Sequence, residues 1–186
     1  MKVVQIKEPG VRRACLAKLC AEVYGQRAGL TPLVVFTGTQ NVLFEQEAAR
    51  LIAGVGQDGE LLALALLVLD EKGEGMTPTL SWERAKGART WLISELSLNV
   101  PLKVELADPA QVAFYRACGL KRWFDGANGE RIGLNARHPA GDLAAVSPTI
   151  TLDHARILRR FKHDPSAFET AKQAFVEGLD SAPTML

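Results

Sequence analysis

The chain has few of the features that mark secreted, membrane-spanning or nucleic-acid-coating proteins. Its three cysteines, Cys15, Cys20 and Cys118, are an odd and widely spaced set with no CxxC pair, so no disulfide framework is expected. The longest apolar run, residues 61–69, has nine residues, whereas a membrane-spanning helix needs about 20. Neither charge sign dominates, because 22 Lys and Arg stand against 21 Asp and Glu. This balance argues against nucleic acid and anionic membranes as general partners.

The amino-terminal residues and the cysteines indicate the compartment. Residues 1–8 reach charged side chains and then Pro9 before any long apolar run, so we expect no signal peptide. The cysteines are expected to be small buried hydrophobes in a reducing compartment, and we predict a cytoplasmic protein. A length of 186 residues suggests one domain with an appendage, at roughly 100–200 residues per domain.

Apolar periodicity predicts the elements of the first half of the chain. The Asp58-Gly59 dipeptide is typical of a hairpin turn between two strands, because glycine tolerates a positive φ. Residues 27–46 leave two alternatives open, since Leu33–Phe36 could form a strand or begin a short helix. The predicted elements are a strand at 3–6, a helix at 11–24, and strands at 49–55, 61–69 and 77–82.

The second half continues with alternating helices and strands, then a tail. Asp108-Pro109 is typical of a helix start, with the aspartate as N-cap and proline at the first helical position. An antiparallel meander followed by a βαβ unit predicts an α/β (α+β) fold with a mixed sheet and helices on its faces. The predicted elements are a helix at 91–98, a strand at 102–106, a helix at 109–118, a hairpin of 121–124 with 131–136, a linker at 139–148, and two tail helices.

The connection from the strand at 77–82 into the following helix has the composition of an anion site. Amides at a helix start lack intrahelical partners and lie at the positive end of the helix dipole, so they favour phosphate. Gly87 allows a ligand to approach the backbone closely. Arg84, Lys86 and Arg89 add positive charge within six residues.

Two motifs in this region resemble those of the GNAT superfamily of acyl-CoA-dependent N-acyltransferases. Residues 84–89, Arg-Ala-Lys-Gly-Ala-Arg, are similar to the Arg/Gln-x-x-Gly-x-Gly/Ala loop that holds the pyrophosphate of acyl-CoA, with Arg89 replacing the small residue. Residues 108–115, followed by Gly119-Leu120, resemble the Asn-x-x-Ala-x-x-x-Tyr signature and its later Gly-Phe. Asp108 and Gln111 depart from that signature.

The resemblance implies a GNAT-like acyl-CoA-binding domain at 1–137 and a linker with a helical extension at 138–186. It implies acetyl-CoA as co-substrate, a small-molecule or protein amine as acceptor, and direct attack of the amine on the thioester. Tyr115 is the implied general acid toward the leaving thiolate. The strand residues Leu80–Trp82 are the implied source of the amide that polarises the carbonyl. The implied cofactor-binding residues are Leu80, Trp82, Arg84, Ala85, Lys86, Gly87, Ala88, Arg89, Thr90 and Asp108.

The general base and any metal site are not determined by the motifs. Glu83, Glu95 and Glu105 are all candidates for the base by neighbourhood. The three histidines follow the GNAT-like region, and His154 and His163 are nine residues apart rather than four. We therefore predict no metal site.

The tail allows several interpretations. The basic patch Arg156, Arg159, Arg160 and Lys162 is either a solvated helix face or a contact for an acidic partner or nucleic acid. The apolar stripes of the tail helices must be covered by the core or by a second copy of the chain, so a homodimer through these helices stays open. Because the motifs are degenerate, a catalytically weakened GNAT-like protein acting as a CoA-binding or protein-interaction module is the main alternative to an active enzyme.

Overall fold

Seven strands form two antiparallel sheets that touch at a single parallel bridge. The computed structural model describes all of the chain, residues 1–186. The larger sheet has the order β1-β2-β3-β4, and the smaller one has the order β5-β7-β6. Met76 and Leu102 form the parallel bridge between them, so the predicted mixed sheet is confirmed. The strands are β1 (Lys2–Gln5), β2 (Ala49–Val55), β3 (Leu61–Leu69), β4 (Met76–Glu83), β5 (Lys103–Leu106), β6 (Arg122–Asp125) and β7 (Arg131–Leu134).

Six α-helices cover the sheets, and none combines the length and apolarity needed to cross a bilayer. The ambiguous segment contains a helix rather than a strand, followed by one π-helical turn at Thr39–Leu43. Pro32 to Phe36 are all buried, and a helix that is apolar all round lacks the periodicity that would have identified it. The helices are α1 (Pro9–Tyr24), α2 (Thr31–Gly38), α3 (Ala88–Asn99), α4 (Val112–Ala117), α5 (His154–His163) and α6 (Pro165–Asp180).

Two hydrophobic cores lie on the opposite faces of the larger sheet. One core joins β2 and β3 to α1 and α2, and the other joins them to α3, α4 and β5. The cysteines are buried as predicted, with Cys15 and Cys20 in the first core and Cys118 in the second. Burial raises the pKa of Cys15 to about 11 and that of Cys20 to about 12. Both thiols therefore stay protonated and unreactive near neutral pH.

The two tail helices are part of the first core. Phe175 of α6 packs edge-to-face on Phe36 of α2, with the ring centroids 5.2 Å apart. A Cβ at Gly178 would lie 2.8 Å from the Cβ of Ala17, so α6 approaches α1 as closely as a glycine allows. The last residues pair with the turn before β3, where Thr184 accepts a backbone hydrogen bond. Residues of the same chain thus cover the apolar stripe of α6 and Phe161 of α5, whereas Leu158 of α5 stays 42% exposed. The homodimer stays a prediction.

The linker between β7 and the tail is fastened by buried polar side chains. The fully buried Asn135 accepts from the backbone N–H groups of Leu102 and His138 at 2.9 and 3.1 Å. The Lys103 ammonium, 1% exposed, donates to the carbonyl of Ser147 at 2.7 Å. These bonds hold residues 138–148 against β5, and the next residues continue along β3 through Ile150, whose N–H donates to Leu69 at 2.9 Å.

His138 is the titratable group at the centre of this linker. Burial lowers its pKa from 6.5, and the nearby charges of Arg122 and Lys103 lower it further, whereas Asp70 and Glu74 raise it. Its Nδ1 accepts from the N–H of Ala140 at 3.2 Å. Its Nε2 has no hydrogen-bond partner. The folded chain therefore favours the neutral imidazole.

We expect the free energy of unfolding to fall as the pH drops below about 6.5. The unfolded chain takes up the His138 proton near its ordinary pKa of 6.5, while the folded chain takes it up only at lower pH. The unfolded state then binds more protons, which costs at most about 1.4 kcal/mol per pH unit for one group. Urea unfolding at pH 7.5 and 5.5 measures the effect.

The His138→Gln variant should lose part of this pH dependence. His163→Gln, at the exposed end of α5, should keep it and serves as the matched control. An identical profile for all three chains would contradict the assignment to His138.

Candidate active site

A cleft opens where β4 and β5 diverge from their one point of contact. The Met76 N–H donates to the carbonyl of Pro101 at 3.0 Å, and beyond it the two strands do not pair. Leu66 pairs with Leu80 and Leu67 pairs with Pro78, which leaves the intervening Thr79 as a bulge in β4. A bulge bends its strand. The outer edge of β4 therefore keeps free backbone groups that face the cleft.

The cleft contains a cavity of about 540 Å³. This volume lies within the range of small-molecule sites, roughly 300–1,000 Å³. A segment that we name the strap, residues 149–152, forms one side of the cavity. The other walls include Leu80 of β4, Glu105 of β5, Tyr115 of α4, Tyr24 of α1 and His154 of α5.

Tyr115 brings a buried phenol to this cavity. The residue is 5% exposed, and its ring packs edge-to-face on Phe114 at 4.9 Å between centroids. Burial raises the pKa of Tyr115, although the adjacent guanidinium of Arg89 lowers it in part. The phenol therefore keeps its proton at neutral pH and is present as a potential proton donor.

Only one of the three candidate bases lines the same cavity as Tyr115. The side chain of Glu105 is 43% exposed and lies 3.9 Å from the buried ammonium of Lys103. Glu95 lies in a different groove, against β1 and β2. Glu83 is already hydrogen-bonded at the start of α3. The structure thus places Glu105 and Tyr115 on the walls of one cavity and leaves the other two carboxylates outside it.

The connection between β4 and α3, which we call the corner, has free backbone amides and the carboxylate of Glu83 close together. Gly87 lies in the left-handed region, with φ of 86°. The backbone N–H groups of Ala85, Lys86 and Thr90 have no acceptor within the protein. The N–H of Arg89 is instead occupied, because it donates to Oε2 of Glu83 at 2.9 Å. An anion at this corner would meet both unpaired donors and a like charge.

The side chain of Arg89 spans the cleft between β4 and α4. Its Nε donates to Oγ of Ser81 at 2.7 Å. Its guanidinium carbon lies 4.1 Å from the centroid of the Phe114 ring, the geometry of a cation–π contact. The GNAT loop motif has a small residue where this chain has Arg89. The Arg89 side chain therefore fills the space between the loop and α4, the helix that carries Tyr115.

Comparison with solved structures identifies this arrangement. The chain superposes on an aminoglycoside 6'-acetyltransferase type Ii with a TM-score of 0.52 at 18% identity, covering 75% of this chain and 99% of that one. It superposes on GCN5 of Tetrahymena with a TM-score of 0.50 at 11% identity, covering 76% and 99% of the two chains. The chain has the GNAT fold. No family model matches it, and no curated protein matches it in sequence.

The GNAT-like loop residues surround the corner but lie outside the cavity that holds Leu80 and Tyr115. Arg84 pairs with Glu60 at 3.6 Å across the start of β3. Lys86 is exposed, whereas Ala88 is buried in the second core. Thr90 uses its carbonyl to accept from Ser94 at 2.7 Å. The role of these loop residues as cofactor ligands stays a prediction.

Two further predicted residues lie away from the loop. Trp82 packs into the first core, with the ammonium of Lys18 4.6 Å from its ring centroid. The Asp108 side chain accepts from the N–H of Ala110 at 2.9 Å, which confirms the N-cap, although a 3₁₀ turn at Pro109–Gln111 precedes α4. Asp108, which stands where the second motif has asparagine, thus starts the helical segment that carries Tyr115.

Sequence reasoning missed the strap, His154 and Tyr24 as walls of the cavity. The histidines are predicted to lie beyond the GNAT-like region, but the strap returns the chain to β4, where Thr149 Oγ1 lies 2.7 Å from Thr77 Oγ1. The alternation of threonine with Ile150 and Leu152 in the strap was the available signal, because it is typical of an extended segment with one buried face.

We expect Glu83→Gln to bind inorganic pyrophosphate about fivefold more tightly than the natural chain. The substitution removes a like charge that competes for the amides at the start of α3, and relief of a repulsion at ~4 Å in water amounts to about 1 kcal/mol. Isothermal titration calorimetry at low salt measures the difference.

Glu95→Gln is the matched control, because Glu95 lies on α3 but in another groove. Equal affinity in the natural chain and both variants would show that Glu83 does not oppose an anion at this corner.

Proposed function

We propose that this chain is an N-acyltransferase that moves the acetyl group of acetyl-CoA to a primary amine. The observation that carries the proposal is the cavity at the divergence of β4 and β5, which is lined both by Tyr115 with its protonated phenol and by Glu105. The GNAT fold, shared with acetyltransferases, supports the same reaction class.

The proposed reaction needs one proton acceptor and one proton donor. The amine nitrogen attacks the thioester carbonyl and loses a proton to Glu105, directly or through water. The carbon–sulfur bond of the tetrahedral intermediate then breaks, and Tyr115 donates its proton to the departing CoA thiolate. Free N–H groups on the outer edge of β4, in the region Leu80–Trp82, would stabilise the oxyanion that forms between these steps.

The proposed cofactor contacts lie at the corner before α3. The free amides of Ala85, Lys86 and Thr90 and the left-handed Gly87 are suited to a diphosphate. Arg84 and Lys86 are exposed cations at the same corner. The thioester arm would then enter the cleft between β4 and β5 and reach Leu80 and Tyr115.

We expect millimolar acetyl-CoA to raise the thermal unfolding midpoint, because a ligand that binds only the folded state stabilises it. At a concentration 100 times the Kd the gain is about 2.7 kcal/mol. Differential scanning fluorimetry and calorimetry measure it, with ADP at equal concentration as the control for binding through the diphosphate alone. An unchanged unfolding midpoint and no heat of binding with acetyl-CoA would contradict the enzyme proposal.

We expect Tyr115→Phe to lower the acetylation kcat on the order of 10²-fold, the lower end of the range for a general acid. The phenylalanine keeps the ring packed on Phe114 and removes only the hydroxyl. Turnover is measured by thiol release across a panel of amines. Tyr24→Phe is the matched control, because Tyr24 lines the same cavity. A loss in the control but not in Tyr115→Phe would transfer the acid role to Tyr24.

A second candidate function is a CoA-binding or interaction module that has lost most catalysis. The bond from the Arg89 amide to Glu83 and the Arg89 side chain across the cleft favour it, because both occupy space near the loop. Acetyl-CoA binding without turnover of any amine in the panel would establish this candidate over the enzyme.

A further inference from the structure

A second groove lies behind the strap, on the side away from β4. It has a volume of about 890 Å³ and runs between α2 with its π turn and the α5–α6 pair. Three arginines line it, Arg13 on α1 and Arg156 and Arg160 on α5. We name this feature the basic groove. Arg156 and Arg160 are one helical turn apart, so both guanidinium groups lie on the same face of α5.

None of the three guanidinium groups forms a hydrogen bond or an ion pair within the chain, although the charge of Arg13 also acts on the Glu8 carboxylate. None of them takes part in any of the four ion pairs of the protein. The two aspartates of the groove are engaged as helix caps, since Asp153 accepts from the N–H of Arg156 at 2.9 Å and Asp164 from that of Ala167 at 3.1 Å. The forked guanidinium donors are therefore available to an external carboxylate, which they bind in a bidentate manner.

The rest of the lining selects a small carboxylate over nucleic acid. Gln40, Asn41 and Thr170 contribute uncharged hydrogen-bonding groups. Phe36 and Phe161 are buried in the first core and offer no ring on which a base could stack. The three arginines exceed the two aspartates by a single charge, which suits one carboxylate better than a run of phosphates.

The basic groove and the active-site cavity share one wall. Ile150, Thr151 and Leu152 of the strap line both spaces. In the π turn, Thr39 lines the cavity while Gln40 lines the groove. A single extended segment separates them, so the distance across this shared wall is roughly 5–10 Å, the spacing of neighbouring strands or packed sheets.

We propose that the acceptor amine carries a carboxylate, which Arg156 and Arg160 bind in the basic groove with Arg13 on the facing wall. The inference rests on the proposed acetyl transfer, because it assigns the amine end to the cavity of Tyr115 and Glu105. Amino acids with a distant carboxylate, dipeptides and acidic peptides share this chemistry. Polycationic amines do not, because the groove would repel them.

The test compares glycylglutamate with glycylglutaminamide, which has nearly the same shape and no carboxylate, in calorimetric binding without any acetyl-CoA. We expect glycylglutamate to bind at least tenfold more tightly, and the double substitution Arg156→Glu/Arg160→Glu to abolish that preference. The matched control is Arg159→Glu/Lys162→Glu, on the same helix but outside the groove lining, which should keep it. An acidic decapeptide is titrated in parallel. Tighter binding of the decapeptide than of glycylglutamate would indicate a protein acceptor, and weaker binding would indicate a small one.

Equal affinity for the two dipeptides, or a preference that survives the double substitution, would overturn the inference. Binding of a DNA oligonucleotide that displaces the dipeptide and weakens steeply with salt would overturn it in favour of nucleic acid. Acetyl transfer that prefers polycationic amines refutes the carboxylate acceptor and leaves the proposed function intact. Carboxylate-dependent binding with no acetyl transfer to any amine refutes the proposed function and leaves only a carboxylate site.

Discussion

The separation of β4 from β5 is the constraint on which the candidate site depends. Two adjacent parallel strands would ordinarily pair along their length, bury their edges and leave no opening. Here one bridge at Met76 and Leu102 is followed by a bulge at Thr79, so the two sheets part and β4 keeps an unpaired edge. Tyr115 and Glu105 reach a common cavity only because this gap exists. The backbone, more than any side chain, therefore creates the space for chemistry.

The end of β4 combines groups that favour an external anion with a carboxylate that competes with it. Free amides and a left-handed glycine at the start of α3 favour an anion. The Glu83 carboxylate is such an anion within the chain. The Arg89 side chain fills part of the neighbouring space, where it contacts Ser81 and Phe114. The corner is thus satisfied only in part without a ligand, because the N–H of Arg89 is occupied while those of Ala85, Lys86 and Thr90 stay free. These contacts are the observations on which the two proposed functions, an active enzyme and a binding module, differ.

The tail is joined to the site by buried polar bonds. Lys103, Asn135 and His138 hold the linker against β5, and the strap that follows forms a wall of both the cavity and the basic groove. Burying an ammonium is costly unless its hydrogen bonds are met, so the bond from Lys103 to Ser147 fixes where the linker can run. Residues that look peripheral along the chain therefore shape the space in which an acceptor would bind.

The sequence by itself determined the parts that depend on neighbouring residues. Strong periodicity and turn chemistry at Asp58-Gly59 and Asp108-Pro109 located most strands and helices, and the order of elements predicted the mixed sheet. Periodicity did not identify α2, because the run Pro32–Phe36 is apolar and buried on every side. Only the tertiary structure decided that Glu105 lines the cavity of Tyr115 while Glu83 and Glu95 do not, and that the Glu83 carboxylate accepts the Arg89 N–H at the start of α3. It also decided that the strap returns to β4 and that His154 lines the same cavity. These facts depend on contacts between residues far apart in the chain, and local patterns carry no information about which distant side chain fills a given space.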